Sequence, residues 1–516
     1  GRNSRITSDA DSPYLLSVDS AALARYHVDP KWDDLRQELY AQKNYSGVET
    51  TLASMLQAPG DGAHDELNRL YGFLSTPFGA STSETMKPVL DEWVVRSTDS
   101  YAAHLLRGCF YVGYAWQARG NGESFTVTAE GKRLFSDRLA IAKEDLEIAY
   151  VLNPHEAYSS ANLIRVAMGL GLPRAVMERY FDQAVAQRPG DAVPYILKMR
   201  YLAPKWYGTV EDISAVAEDA KGRSGEHPRL ARIWALSLLE QAMSSDPKNS
   251  PLASVERWEG IQAIYEGLLT REPDDLALRA EYARLAYLSG QYLIAAEQYD
   301  RVGDRWVPGT NDDLPSYNFA RADAYDRLAW EYEQKHDDAA AVRRYQNAVD
   351  LGFSRAMSSL GLLYANGRGV PKDYAAAMAL FQRAASFQDA SGYAYMGWLN
   401  AMGYGVPINA VEAVRCYKQA SDLGNDWARY ELGRLYLEGK LLPRDFSESS
   451  RYLEKAANDG GSDAQTLLGW MYEQGDGVPR DYQTAAKWFR LAAAQGDNQA
   501  IANLKSLQDG GQLKAL

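Results

Sequence analysis

Cysteine is nearly absent from this chain. Its 516 residues contain two, Cys109 and Cys416. Two distant cysteines cannot build a disulfide framework, and both read as buried free thiols. Histidine is also scarce. The six (His27, His64, His104, His155, His227, His336) are scattered with no pair at ligand spacing, so each reads as a surface or satisfied core histidine rather than a metal ligand or catalytic base. No apolar run comes near the ~18 residues that a membrane-spanning helix needs. Basic residues are outnumbered, 55 Lys and Arg against 68 Asp and Glu, for a net charge of −13. That balance argues against nucleic acid and anionic membrane as ligands, and it allows a basic partner.

The motifs of catalysis are missing as well. Gly131-Lys132 lacks the preceding glycine and following Ser or Thr of a phosphate loop, and no Gly-x-Ser-x-Gly elbow occurs. Acidic pairs such as Asp274-Asp275 and Asp312-Asp313 sit in turns, where solvated caps are the simpler reading. The expectation is therefore a chain with no catalytic residue, cofactor or metal, not an enzyme. The alternative is an enzyme with a site hidden in the N-terminal third. The chain opens Gly1-Arg2-Asn3-Ser4 without methionine, which reads as a trimmed sequence, so that the absence of a signal peptide or anchor from it is uninformative.

What is present is a repeat. Leu360-Gly361, Met396-Gly397, Leu432-Gly433 and Leu468-Gly469 recur every 36 residues. Gly367, Gly403, Gly439 and Gly475 keep the same spacing, as do Pro371, Pro407, Pro443 and Pro479, and Ala384, Ala420, Ala456 and Ala492. A fixed period of this length is the mark of a solenoid. Each unit reads as two helices. In the last, Ala464, Leu467, Leu468, Met471 and Tyr472 have helical spacing. Gly475-Asp476-Gly477 stops that helix, because glycine takes the left-handed conformation that closes a helix end. Asp481 and its counterparts Asp373, Asn409 and Asp445 then fall at the N-cap of the second helix. Glu448 lies three residues after Asp445, as in a capping box. The period also sets the Gly361 series against the Ala384 series, which reads as close approach of the paired helices. Leu441 replaces the second turn glycine of unit three, putting that turn's geometry in question, and Ser449 replaces an alanine.

These residues resemble the Sel1-like repeat family, a relative of the tetratricopeptide repeat, over about 145 residues. The resemblance implies an all-α fold: a right-handed α/α superhelical solenoid of tetratricopeptide-like and Sel1-like helix pairs. Residues 497–509 read as a capping helix. The remainder follows in order as an N-terminal arm at 1–30, an irregular helical, tetratricopeptide-like domain at 31–220, and tetratricopeptide-like repeats at 221–352 with a loop or hinge at 303–315. The Sel1-like repeats plus capping helix occupy 353–509, and 510–516 form a tail. Within this order a helix is expected from about Glu66 to Leu74, a helical stretch from Met86 to Arg119, and a break or hairpin at 120–128. Pro154 and Pro189, 35 residues apart, close one tetratricopeptide-like unit. The stretch from Leu90 through Trp116-Gln117-Ala118-Arg119-Gly120 to Pro204-Lys205-Trp206 also resembles an uncharacterised bacterial helical family, which adds no chemistry.

In tetratricopeptide-type units the first helix lines the concave face, and the residue after the small Gly or Ala points into the groove. Here those residues are Trp330, Leu362, Trp398, Arg434 and Trp470, with Trp427, Tyr430 and Glu438 one turn away. Trp, Tyr and Arg carry most of the binding energy at interfaces, so these eight are the candidate protein-binding residues. The competing reading packs the tryptophans against the next unit. Sel1-like proteins serve as adaptors, and some bacterial members are immunity proteins that hold a type VI secretion lipase or phospholipase effector inactive in the periplasm. The resemblance thus implies a periplasmic inhibitor acting on such a partner, with the cytoplasm as the alternative location. A constitutive adaptor or scaffold in an envelope or signalling complex is the alternative.

Overall fold

The computed structural model describes residues 25–77, 82–120, 126–243, 250–307 and 314–513. The expected arm as far as residue 24, the break at 121–125, Asp312-Asp313 with the rest of 308–313, and the tail beyond 513 lie outside the described residues. What is described is almost wholly helical. A single parallel bridge, His27 to Arg305, is the isolated strand-like pairing among the described residues.

Among the described residues fourteen α-helices precede Gly303: α1 (Pro30–Tyr40), α2 (Tyr45–Leu56), α3 (Asp61–Ser75), α4 (Ser83–Arg96), α5 (Tyr101–Arg119), α6 (Ala129–Leu152), α7 (Ala157–Leu170), α8 (Arg174–Gln187), α9 (Ala192–Tyr201), α10 (Val210–Arg223), α11 (Arg232–Ala242), α12 (Val255–Arg271), α13 (Leu276–Leu288) and α14 (Tyr292–Val302). After it come α15 (Leu314–Gln334), α16 (Asp338–Asp350), α17 (Ser354–Asn366), α18 (Tyr374–Ser386), α19 (Ala390–Met402), α20 (Ala410–Asp422), α21 (Asp426–Glu438), α22 (Phe446–Asn458), α23 (Ser462–Gln474), α24 (Tyr482–Ala494) and α25 (Asn498–Asp509). The helix expected at Glu66–Leu74 is longer, starting at Asp61, and the stretch Met86–Arg119 is two helices parted at 97–100. The chain divides into two compact units whose described parts are 25–320 and 321–513, a division that falls inside α15.

In the N-terminal unit the core runs through α1–α11. Tyr45 stacks on the fully buried Trp93 at 5.3 Å, and the Trp93 indole N–H donates to Glu49 at 3.1 Å. Gly108 lets α5 lie against α6, because a Cβ there would meet Leu146 Cγ at 2.7 Å. His104 is buried against Asp145, 2.8 Å from Nδ1 to Oδ1, and Arg107 grips the same carboxylate at 2.7 and 2.8 Å. It is thus a satisfied core histidine. A second buried network ties α3 to α11–α13. Asp65 accepts from Arg229 at 2.6 Å and Arg232 at 2.7 Å, Arg229 reaches Glu272 and Asp275, and Arg232 reaches Glu281. Buried charges are normally paired in this way. Both cysteines are free and buried, and burial pushes the Cys416 thiol up to about 12.

In the C-terminal unit the helix pairs α17/α18, α19/α20, α21/α22 and α23/α24 repeat one plan. The expected N-caps form: Asp373 accepts from Ala375 and Ala376 N, Asn409 from Glu412 N, Asp445 from Glu448 N, and Asp481 from Gln483 N. Gly367, Gly403, Gly439 and Gly475 end the first helices in the left-handed conformation. Two expectations are corrected. Glu448 does not complete a capping box; its carboxylate pairs instead with Arg451, one turn on, at 3.0 and 2.7 Å. The Gly361 series does not face the Ala384 series. A Cβ at Gly361 would meet Phe381 at 2.5 Å, and the same holds for Gly397 with Tyr417, Gly433 with Leu453 and Gly469 with Phe489. The glycine makes room for a large side chain three residues before the alanine, whose own neighbour is the start of the next unit, as Ala384 is to Gly392. In unit three the second turn position, Leu441, does not adopt the positive φ that Gly369, Gly405 and Gly477 share, so this turn is built differently. Ser449, fully buried where the other units have alanine, donates to the Gly433 carbonyl at 2.8 Å and leaves no orphan hydroxyl.

Candidate protein-binding face

The face in question is carried by α15, α17, α19, α21 and α23. Along the last four, Leu360, Met396, Leu432 and Leu468 form the buried stripe. Two positions on, a helix has turned ~200° away from that stripe, to the side opposite the core. Leu362, Trp398, Arg434 and Trp470 occupy that place.

The eight predicted residues meet different fates. Trp330 is 38% exposed, and Trp427 and Trp470 are each 36% exposed. Trp398 is half-buried: it packs against the cores of two successive units and meets Tyr404 edge-on at 5.4 Å. Trp427 lies between rings of the preceding unit, 5.6 Å from Tyr395 and 6.0 Å from Tyr417. Tyr430 packs against the core shared by units three and four, and burial raises the pKa of its phenol. Leu362 is half-buried and its carbonyl accepts from Asn366.

Arg434 and Glu438 are brought together. The guanidinium donates to Glu438 at 2.6 Å, and through Nε and Nη2 to Glu431 Oε2 at 3.2 and 2.6 Å. One arginine is thus clamped by two acids of its own helix.

Three residues of this face escaped the sequence reading. Tyr395 joins Phe381 at 5.1 Å to Trp427, Tyr404 stacks on Tyr374 at 5.0 Å while remaining 38% exposed, and Met402 is 40% exposed. Reading by period hides them, because the equivalents of Tyr395 are Ser359, Glu431 and Leu467. Nor does aromatic content single them out, since units two, three and four each carry five aromatic residues.

The chemistry this surface supports is apolar and aromatic contact with ordered charge beside it. Among the described residues no group of three or more His, Cys, Asp or Glu could hold a metal ion. No described helix is long and apolar enough to cross a membrane.

Comparison with known proteins bears on the same segment. A family model described as Sel1 repeat matches residues 354–386, 390–425, 428–461 and 462–497. No curated protein matches the chain. Among solved structures, a Sel1 repeat protein from Oxalobacter formigenes is 27% identical, covering 44% of this chain and 89% of its own, with a TM-score of 0.37. A protective antigen of uropathogenic Escherichia coli strains with an SLR fold is 19% identical over 90% of this chain and 91% of its own, with a TM-score of 0.42. An immunity protein from Pseudomonas aeruginosa is 28% identical, covering 35% of this chain and 68% of its own, with a TM-score of 0.27.

Proposed function

We propose, for a chain whose residues 354–497 are four Sel1 repeats, a non-catalytic role in protein recognition, with the first-helix face of its C-terminal unit as the binding surface. The observation that carries this reading is the exposure of Trp330, Trp427 and Trp470 on three of the first helices, α15, α21 and α23. A tryptophan left in water forgoes the largest apolar burial any side chain can offer, and tryptophan is the residue type most enriched at binding hot spots. Trp398 supports the face from beneath, and the Arg434 clamp beside it presents a preorganised guanidinium edge.

The partner we infer is a secreted lipase or phospholipase effector, neutralised in the periplasm. The mechanism would be steric, with the solenoid covering the enzyme's substrate path. Support comes from the immunity role known among Sel1-like proteins together with the aromatic face. The test is a pull-down from the source organism with the intact chain and with a Trp330→Ala/Trp470→Ala variant, followed by assay of the captured protein's lipase activity with and without the chain. The two substitutions remove exposed rings, so circular dichroism should be unchanged while capture falls by at least tenfold, roughly 1.4 kcal/mol or more. A captured lipase whose activity returns when the chain is removed supports the inhibitor reading. Capture undiminished in the variant would move the interface off this face, and a partner fully active when bound would make the chain a scaffold.

A further inference from the structure

The N-terminal unit holds a cavity of about 350 Å³ between α5, α7, α9, α11 and α13, within the size range of small-molecule sites. Its charge is the reverse of the molecule's. Arg165, Arg200, Lys205 and Arg284 line it against a single acid, Glu240, in a chain that carries −13 overall. The rest of the wall is apolar, with Met168, Leu197, Leu236 and Leu239 among its members. Trp116 and Trp206, both in the stretch that stood out in the sequence without a function, close it together, edge-on at 5.6 Å.

Two groups in this wall lack the partners that buried polar groups normally keep. Arg165 forms no ion pair among the described residues. Its side chain makes one long hydrogen bond, 3.5 Å to Asn162 on its own helix, and the like charge of Arg200 is nearby. Burial lowers its pKa below the usual guanidinium value, the sign of a cation held without compensation. The indole Nε1 of Trp116 is buried with no acceptor. The contrast within the same unit is sharp, since Arg107, Arg229 and Arg232 are each gripped by carboxylates. A cation left uncompensated beside an apolar cavity is the arrangement that an anionic ligand completes.

We propose that this cavity binds a carboxylate carried on a short apolar body, the carboxylate at Arg165 and the body against the methionine and leucine wall. The site lies in the N-terminal unit and does not depend on the aromatic face of the C-terminal one. Two sources share this chemistry: a free medium-chain acid and the C-terminal apolar residue of a polypeptide.

The test titrates the full chain with octanoate, followed by calorimetry and by the fluorescence of Trp116 and Trp206. Acetate, octanol and octylammonium serve as comparisons, and a short peptide ending in leucine, as the free acid and as its amide, forms the second arm. Octanoate or the free-acid peptide is expected to bind one site saturably with a Kd below about 1 mM, and the tighter of the two identifies the source. Acetate lacks the body, octanol and the amide lack the charge, and octylammonium inverts it, so each should bind at least roughly tenfold more weakly. Arg165→Met removes the charge and keeps the volume. The variant should melt at or above the parent temperature without ligand, and it should lose both the binding and the upward shift in Tm that octanoate gives the parent. Absence of saturable binding by both probes up to about 5 mM, or binding unchanged in the variant, would overturn the proposal. Should Arg165→Met fail to fold, Leu239→Trp tests the same site by filling the cavity, and octanoate binding undiminished there would likewise overturn it.

Discussion

Glu156 caps α7 with both carboxylate oxygens, accepting from Tyr158 N at 2.7 Å and Ser159 N at 2.9 Å, yet the residue is only 3% exposed. Burial outweighs those bonds and pushes its carboxyl up to about 7. Asp191, the cap of α9, is pushed up to about 7 by the same cause, although Asn68 donates to it at 2.9 Å. A carboxyl whose folded pKa lies above its unfolded value holds more protons folded than unfolded. Its stabilisation is complete below about pH 4 and is lost as pH rises toward 7. Tm should therefore fall between pH 5 and 7.5, and Glu156→Gln should flatten that fall by on the order of 2 kcal/mol. His64 works in the opposite sense, since burial lowers its pKa and its contribution is lost as pH falls. Comparing variant with parent at each pH cancels it. An unchanged slope in the variant would exclude Glu156 as the source. None of this was legible in the sequence. A glutamate before a helix reads as an ordinary cap, and its burial is decided by what packs over it.

At the scale of single elements, the local rules were readable because they act within one turn. The four caps and four terminal glycines each involve residues no more than a few positions apart. What the chain order could not reveal was the partner of Gly361 and its counterparts, because the period aligns equivalent positions without saying which of them touch. The contact with Phe489 makes Gly469→Ala costly: a Cβ 2.7 Å from the ring has to displace a fully buried side chain. We expect a loss of about 1–3 kcal/mol in chemical denaturation. Gly113→Ala, in α5 with nothing within 4 Å of the added Cβ, should instead be neutral or stabilising by up to about 1 kcal/mol. Equal effects from the two substitutions would contradict the close helix approach. Leu441 makes the same point about turns. The missing glycine was visible, but how the chain passes that position without a positive φ was settled only by the fold.

At the scale of the whole molecule, the array is a row of helix pairs that each lend a face to the next. The last pair needs a cap: Ala500 and Leu507 of α25 are buried against Ala485, Phe489 and Ala492 of α24. Removing residues 498–516 should expose that surface. The shortened chain is expected to bind a hydrophobic dye such as ANS and to lose about 2–4 kcal/mol of stability in the terminal pair, given the apolar area uncovered. Melting indistinguishable from the parent would mean that α25 is not a structural cap.

The sequence alone determined the repeat, its length, the helix pairs, their caps and the terminal capping helix, since each follows from periodicity and from backbone rules acting over a few residues. Only the tertiary structure decided how far each tryptophan is covered, because Trp398 and Trp470 hold the same place in the repeat and differ in their neighbours. The same holds for the charges of the N-terminal unit. Arg165, Arg229 and Arg232 are alike in the sequence, and only long-range packing gives carboxylates to two of them and leaves the third beside a cavity without one.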